Sequence, residues 1–229
     1  MSAVDAQIQP FNPQAAAVQL MLSWIMAFGV FLSGFVISEP APYELLMVGQ
    51  VALWFLFGLK ISRAVAPLLA LLLIFNVGGL LALTVMPIIL TEQVLYVAVS
   101  LFLALTAVFY AAVIEDRPQR LKLIFQAWVA AAIITGMLGI LGYFHAFPGS
   151  EVFTRYDRAM GAFQDPNVFG PFLVAPMLYL LHGLLKGRLL ESPLRILGIL
   201  ILSFAVFLSF SRAAWGLFLF CAVALVFVM

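Results

Sequence analysis

Apolar segments about twenty residues long, separated by short polar turns, run through most of the chain and limit its fold more than any other feature. A helix needs about 20 apolar residues to cross the hydrocarbon core of a bilayer. Six such segments cover residues 17–37, 43–59, 64–86, 93–114, 121–144 and 167–185. Backbone polar groups must be satisfied inside lipid, so each segment is predicted to be a helix.

The last apolar stretch, residues 196–229, is broken only by the polar cluster at 209–212. A single helix of these 34 residues would be about 50 Å long, whereas the bilayer core is about 30 Å thick. We therefore interpret the stretch as two spans. The prediction is an all-α, polytopic transmembrane bundle of about eight spans, with residues 1–229 forming a single domain.

Composition excludes several other classes of protein. The chain is 66% hydrophobic and only 9% charged, whereas soluble domains are about 25% charged. A net charge of +1 argues against a nucleic-acid partner. The single cysteine, Cys221, excludes an intrachain disulfide. Residues 1–16 lack Lys and Arg, so the first span does not resemble a cleaved signal peptide.

The basic residues give the orientation. Eight of the 11 fall in turns on one side of the eight-span arrangement: Lys60, Arg63, Arg117, Arg120, Lys122, Lys186, Arg188 and Arg195. Short cytoplasmic loops carry an excess of Lys and Arg. This side is therefore predicted to be cytoplasmic, and the N-terminus lies on it.

The three remaining basic residues, Arg155, Arg158 and Arg212, all fall on the predicted outer side. Arginine presents a fork of N–H donors that matches phosphate or carboxylate, which suggests an anionic partner. An alternative is that Arg155 and Arg158 pair with Glu151 and Asp157, while Arg212 extends to the membrane interface.

The segment 161–170 leads into the sixth span. Asp165 or Asn167 can cap the first turn of that helix, and Pro166 is tolerated there because its missing N–H has no helical partner. A helix N-terminus beside arginines is a suitable phosphate site. The alternative is a well-capped transmembrane helix without a ligand.

Small and polar residues inside the predicted spans have structural interpretations. Gly136, Gly139 and Gly142 share one stripe of the fifth span and suggest close helix packing, and Gln50, Asn76 and Thr135 suggest interhelical hydrogen bonds. The sequence contains no paired carboxylates, metal-ligand spacing or Gly-rich nucleotide loop, so no metal or cofactor is expected.

Two motifs carry a resemblance. Residues 158–170 contain Arg158 followed by the pattern Gly-x-Phe-x-x-Pro-Asn from Gly161, and residues 209–214 contain Ser-x-Ser-Arg ending at Arg212. In this order the pair resembles the O-antigen ligase and O-antigen polymerase family. The motif-bearing part covers residues 145–214, and the first five spans agree with the family only in hydropathy.

The resemblance implies a glycosyltransferase-C-like fold in the bacterial inner membrane. Such an enzyme transfers a glycan from an undecaprenyl-diphosphate carrier on the periplasmic face to the lipid A-core or to another glycan. Arg158 and Arg212, followed by Arg155, would hold the donor diphosphate. Gly161, Gly170 and Ser211 would be structural parts of the motifs.

Family members also carry a large periplasmic loop with an essential histidine after these helices. We therefore expect this chain to represent the N-terminal portion, without the catalytic loop. His145 is the only histidine on the predicted outer side and the candidate base within the chain. Two alternatives remain: a lipid-linked oligosaccharide flippase or transporter, which the lack of Asp and Glu inside the spans disfavours, and a noncatalytic scaffold subunit of an envelope complex.

Overall fold

A computed structural model describes residues 13–38, 41–56, 58, 61–86, 91–187 and 192–229. Within them the chain forms eight α-helices, and 79% of the structure is helical. The helices are α1 (Pro13–Leu32), α2 (Pro42–Leu56), α3 (Ala66–Thr84), α4 (Thr91–Asp116), α5 (Arg120–Tyr143), α6 (Pro166–Lys186), α7 (Pro193–Leu208) and α8 (Arg212–Val228). The all-α prediction is confirmed at this level. Lys60 and Arg188, which were used for orientation, lie outside the described residues.

Most helices follow the predicted segments, although α7 begins at Pro193, three residues before the predicted boundary at 196, and two helices end early. Helix α1 ends at Leu32, before the predicted boundary at 37, and α2 ends at Leu56 instead of 59. The predicted break in the last apolar stretch is confirmed, because α7 ends at Leu208 and α8 begins at Arg212. A turn of three residues joins them.

Four helices are long and apolar enough to cross a membrane: Ala66–Thr84, Gln93–Asp116, Arg120–Tyr143 and Pro166–Lys186. The apolar helical segments in α1, α2, α7 and α8 are shorter, at 10–17 residues: Ala17–Leu32, Pro42–Leu56, Pro193–Leu208 and Arg212–Val228. Eight crossings therefore remain a prediction. Large apolar side chains cover the surface of α3, where Leu71, Ile74 and Phe75 are each 67–69% exposed.

Two hydrophobic cores lie against α5. The first joins α5 to α1, α2 and α4 and contains Leu22, Met26, Met47, Phe109 and Val113. The second joins α5 to α6, α7 and α8 and contains Phe169, Leu173, Met177, Leu202 and Ala205. Helix α5 is thus the central element, and the motif-bearing segments belong to the second core.

A buried arginine joins four helices at one end of the bundle. The Arg120 guanidinium donates to the Asp116 carboxylate at 2.7 Å, to the Gln19 side chain at 2.8 Å and to the Val113 carbonyl at 3.0 Å. It also lies 4.5 Å from the centre of the Trp54 ring. The sequence interpretation treated Arg120 as a loop charge, but the residue is only 4% exposed. It is a structural connection between α1, α2, α4 and α5.

The segment between α5 and α6, which separates the fifth and sixth predicted spans, is folded. It contains a 3₁₀ helix, Ser150–Phe153, and two short antiparallel strands, β1 (Thr154–Arg155) and β2 (Arg158–Ala159). A side chain at Gly142 would lie 2.7 Å from Phe153 Cβ, and one at Gly139 would lie 3.2 Å from the Gly161 backbone nitrogen. These glycines therefore let the loop pack directly on α5.

The predicted small-residue face on α5 makes helix-helix contacts at two of its three glycines: Gly136 meets Ala205 and Leu202 of α7, and Gly139 meets Phe169 of α6. The polar residues inside the predicted spans form hydrogen bonds of two kinds, between helices and within one helix. Gln50 donates to the Ile25 carbonyl of α1, as expected for an interhelical bond. Asn76 instead donates to the Leu72 carbonyl of its own helix, so the interhelical prediction for Asn76 is wrong.

Candidate functional site

The outer arginines begin on a tight hairpin. Arg155 and Arg158 are cross-strand partners, and the two residues between them, Tyr156 and Asp157, both have φ of 55°. Positive φ at both central positions is the conformation of a type I′ turn, which matches the twist of the flanking strands. Like charges directly opposite each other are unfavourable, so each arginine needs a favourable contact elsewhere.

Arg158 connects the two motif segments. Its Nε donates to the Ser209 carbonyl at 2.7 Å, and its Nη2 donates to Asn167 Oδ1 at 2.8 Å. A guanidinium has five N–H donors. Three therefore remain for another acceptor, and the half-buried side chain is held in place by the first two.

Arg155 contacts the same helix entry. Its Nη1 donates to the Gln164 carbonyl at 2.8 Å, and the guanidinium lies 5.1 Å from the centre of the Tyr156 ring. The side chain is exposed. It is held at the rim of the site, whereas Arg158 is held within it.

Neither arginine forms an ion pair with the nearby acidic residues. In the described part of the chain, the ion pairs involve only Asp116 with Arg117 and Arg120. The alternative in which Arg155 and Arg158 pair with Glu151 and Asp157 is therefore wrong for this structure. Their contacts go to backbone carbonyls and to an amide, which leaves the positive charges without a carboxylate.

Asp165 is the residue that caps α6. Its carboxylate accepts from the Asn167 backbone N–H at 2.6 Å, and Pro166 occupies the first helical position. Asn167, the other predicted cap, instead uses its side chain to hold Arg158. The two residues thus have separate roles, which the sequence did not distinguish.

Gly161 is required by its conformation and its surroundings. Its φ is +54°, and a Cβ there would lie 2.6 Å from both the carbonyl and the hydroxyl oxygen of Thr135. The same Thr135 hydroxyl accepts from the Ala162 N–H at 2.8 Å, and the Ala162 carbonyl accepts from the Val36 N–H at 2.7 Å. The segment leading into α6 is thereby fixed to α5 and to the chain after α1.

Gly170 allows the first turns of α6 and α8 to touch. A Cβ at this position would lie 2.9 Å from Ala214 Cβ and 2.9 Å from Ser209 Oγ. Any larger residue would therefore separate the two helices. Two helix N-termini consequently lie together at the same end of the bundle.

The turn between α7 and α8 is made by Ser209, Phe210 and Ser211. The Ser209 hydroxyl donates to the Val206 carbonyl at 2.7 Å and accepts from the Ser211 N–H at 3.2 Å. The Ser211 hydroxyl accepts from the Ala214 N–H at 3.4 Å and caps α8. Phe210 has a φ of +48°, a region that bulky residues rarely adopt.

Arg212 is the first residue of α8 and is exposed. Its side chain forms no hydrogen bond or ion pair with any described residue. The Ser211 cap beside it is neutral, whereas the α6 N-terminus already carries the Asp165 carboxylate. Anions are favoured at helix N-termini, so the start of α8 is the better position for one. We call Arg158, Asn167, Ser209, Ser211 and Arg212 the arginine site.

His145 lies at the end of α5, outside this group of contacts. It is exposed and has a φ of +50°. Its imidazole forms no hydrogen bond or ion pair with the arginine site in the described part of the chain. His145 therefore has an exposed imidazole ring with no hydrogen-bond partner among the described residues.

Three participants were missed by sequence reasoning: the Ser209 carbonyl, the Gln164 carbonyl and the Thr135 hydroxyl. The first two act through the backbone, which carries no residue-specific signal. Thr135 had been interpreted as a residue for interhelical bonding, and nothing in its position indicated a partner 27 residues later.

Comparison of the chain with protein-family models, curated proteins and solved structures finds no match.

Proposed function

We propose that the chain is a multi-span protein of the bacterial inner membrane that binds an undecaprenyl-diphosphate-linked glycan and takes part in its transfer. The acceptor would be the lipid A-core or another glycan. The proposal includes a glycosyltransferase-C-like arrangement of eight spans with a cytoplasmic N-terminus. It rests on the two-motif resemblance to the O-antigen ligase and polymerase family.

One observation carries the proposal: the two motifs form a single contact network. Arg158 of the first motif donates to Ser209 of the second, and Gly170 of the first fits against Ser209 and Ala214 of the second. A chance resemblance in two separate segments would not require them to meet. Their contact is what a shared binding site needs.

The charges of the site suit a diphosphate. Arg212 has its full set of N–H donors available among the described residues, Arg158 keeps three, and the positive end of α8 lies beside Arg212. Arginine binds phosphate oxygens with two parallel N–H donors. Fixed donors of this kind stabilise negative charge as it develops on a leaving group.

In the proposed reaction, an acceptor hydroxyl attacks the anomeric carbon of the donor glycan. The bond from that carbon to the diphosphate oxygen breaks, and the diphosphate leaves with the bonding electron pair. The hydroxyl proton passes to a base, for which His145 is the candidate within this chain. The arginines neutralise the departing diphosphate, so the step needs no metal.

The direct test is binding of the carrier. The purified chain is placed in nanodiscs, and its affinity for undecaprenyl diphosphate is compared with that for undecaprenol, which lacks the charge. We expect tight binding of the diphosphate only, and loss of that binding in Arg212→Ala. Arg63→Ala is the control, because Arg63 is an exposed arginine that precedes α3 and is not one of the residues of the arginine site. Equal affinity for both lipids contradicts the proposal.

A further inference from the structure

The tip of the β1–β2 hairpin carries an aromatic ring and a carboxylate that the proposed diphosphate contacts do not use. Tyr156 is 76% exposed, and Asp157 beside it is also exposed. The Asp157 carboxylate forms no hydrogen bond or ion pair with any described residue. Both side chains are therefore accessible to a ligand. We call Tyr156 and Asp157 the hairpin tip.

The hairpin tip is held in a conformation that its own residues do not favour. Both residues have φ of 55°, a region that a bulky side chain such as tyrosine rarely adopts. The base of the hairpin is closed by hydrogen bonds from the Met160 and Gly161 N–H groups to the Phe153 carbonyl, at 2.9 and 3.1 Å. Non-glycine residues held at positive φ cluster at ligand-binding and catalytic sites. The fold thus presents Tyr156 and Asp157 as a preorganised pair.

Arg155 links the hairpin tip to the entry of α6. Its guanidinium carbon lies 5.1 Å from the centre of the Tyr156 ring, and its Nη1 donates to the Gln164 carbonyl at 2.8 Å. Arg158, its cross-strand partner, is bonded to the same helix entry, and the two Cα atoms of such a pair are about 5 Å apart. Asp157 directly precedes Arg158 in the chain. A group joined directly to a phosphate at Arg158 is therefore within reach of the tip.

The chemistry of the hairpin tip matches a sugar ring. A pyranose presents C–H groups on its faces, which pack on an aromatic ring, and hydroxyl groups at its edge, which donate to a carboxylate. An ionised carboxylate only accepts hydrogen bonds, and it repels phosphate and anionic lipid headgroups. A cationic ligand is disfavoured by Arg155 and Arg158 on either side of the tip. The ligand is thus a neutral group with hydroxyl donors and an apolar face.

We propose that the hairpin tip binds the sugar residue that is linked directly to the donor diphosphate. The ring of Tyr156 packs on one face of the sugar, and Asp157 accepts from a sugar hydroxyl. This inference rests on the proposed function, because a diphosphate at Arg158 and Arg212 is what brings the sugar to the tip. It makes Tyr156 and Asp157 specificity residues for the glycan, separate from the arginines that hold the phosphates.

Two kinds of lipid separate the sugar contact from the phosphate contact. Undecaprenyl diphosphate, and the same lipid bearing one glucose or one N-acetylglucosamine, are titrated against the full chain in nanodiscs. The ratio of the two affinities measures the contribution of the sugar. Both sugars expose C–H faces, so both should bind more tightly than the bare lipid.

Tyr156→Asn removes the ring without straining the turn, because asparagine tolerates positive φ and is favoured in type I′ turns. It should lower the affinity for the sugar-bearing lipids about five-fold and leave that for undecaprenyl diphosphate unchanged. Tyr156→Phe keeps the ring and should retain normal affinity for both. Tyr96→Asn is the matched control, because Tyr96 is a 72% exposed tyrosine on α4, outside the hairpin. Thermal unfolding in detergent checks that each variant is folded.

Asp157→Asn tests the hydroxyl contact, since it keeps a side chain suited to the turn and removes the negative charge. The affinity ratio of sugar-bearing to bare lipid should fall about three-fold. The bare diphosphate should bind slightly more tightly, because a nearby like charge is gone. An unchanged ratio in Asp157→Asn would overturn the hydroxyl contact.

Equal losses for the bare and the sugar-bearing lipids in Tyr156→Asn would overturn the sugar contact, since an anchor of Tyr156 in the bilayer would affect both lipids alike. An unchanged affinity ratio in that variant would overturn it as well. Absence of undecaprenyl diphosphate binding would refute the proposed function and this inference with it. Normal binding of that lipid, with a ratio that does not depend on Tyr156, would refute only the inference.

Discussion

Arg158 and Ser209 are 51 residues apart in sequence, yet the guanidinium Nε lies 2.7 Å from the serine carbonyl oxygen. A backbone carbonyl can accept this bond whatever side chain its residue carries. The contact therefore depends on the path of the turn between α7 and α8. It makes the position of the arginine a direct consequence of how that turn folds.

We predict that Arg158→Lys impairs binding of undecaprenyl diphosphate almost as strongly as Arg158→Ala. A lysine ammonium cannot replace a planar fork that holds Ser209 and Asn167 together while keeping donors for a ligand. The expected loss is about 10- to 100-fold in affinity, measured in nanodiscs. Arg63→Lys should behave like the unchanged chain. Normal affinity in Arg158→Lys would remove the geometric role of the guanidinium.

Gly161→Ala should destabilise the fold substantially. The added Cβ would be strained at φ +54° and would overlap both oxygens of Thr135. We expect the free energy of unfolding to fall by about 2–4 kcal/mol. Thermal unfolding in detergent provides the measurement. Gly216→Ala, where a Cβ meets open space within a helix, should be neutral or slightly stabilising; similar losses in both variants would contradict the prediction.

The left-handed backbone at Phe210 should make glycine a better replacement than alanine, which is the reverse of the order expected inside a helix. Both Phe210→Ala and Phe210→Gly remove the ring, but only the alanine is strained at φ +48°. The glycine variant should have the larger free energy of unfolding, by about 1 kcal/mol. Phe207 lies inside α7, where alanine should be the better replacement by about the same amount. An identical ranking at both positions would exclude strain at Phe210.

Arg120 and Arg117 test the difference between buried and exposed arginines. Arg120→Ala breaks the bonds to Asp116, Gln19 and Val113 in a buried position. We expect a loss of about 1.5–3 kcal/mol or more. Arg117→Ala removes only a 3.9 Å pair that is about half exposed, which is worth about 0–1 kcal/mol. Comparable unfolding temperatures for the two variants would argue against the four-helix connection.

The predicted orientation is tested by fused topology reporters. Fusions after Arg63 and Arg120 should read cytoplasmic, because two helices, α3 and α4, separate them. A fusion after Glu151 follows one further helix and should read periplasmic. The side chain of Ser62 donates to the Glu115 carboxylate, which already brings the first two turns together. A periplasmic signal at Arg120 would invert the arrangement.

The sequence predicted the helices well, because an apolar stretch of about 20 residues is almost enough by itself to specify a membrane helix. It also identified the break at 209–212, since a continuous helix would have been too long. The early end of α1 was not predictable from hydropathy, because residues 33–37 are as apolar as the helix before them. There the Val36 N–H is bonded to the Ala162 carbonyl instead of continuing a helix.

The candidate site was predicted in its residue types and only partly in its geometry. Arg158, Arg212 and the cap of α6 were identified from charge and capping patterns. The hairpin at Tyr156 and Asp157 was missed, because these residues lack the Gly or Asn-Gly signal that usually marks a type I′ turn. The path of the α7–α8 turn was also missed, because Phe210 occupies a conformation that sequence rules assign to glycine.

The low burial of helix α3 affects how well the chain tolerates substitutions in that helix. Only 6% of the residues in its 18-residue apolar stretch are buried in the structure, and the helix packs chiefly on α4. Few neighbours therefore specify the identity of any one side chain. Many rearrangements of its leucines, isoleucines and valines would serve equally well, so its overall composition carries more information than the order of its residues.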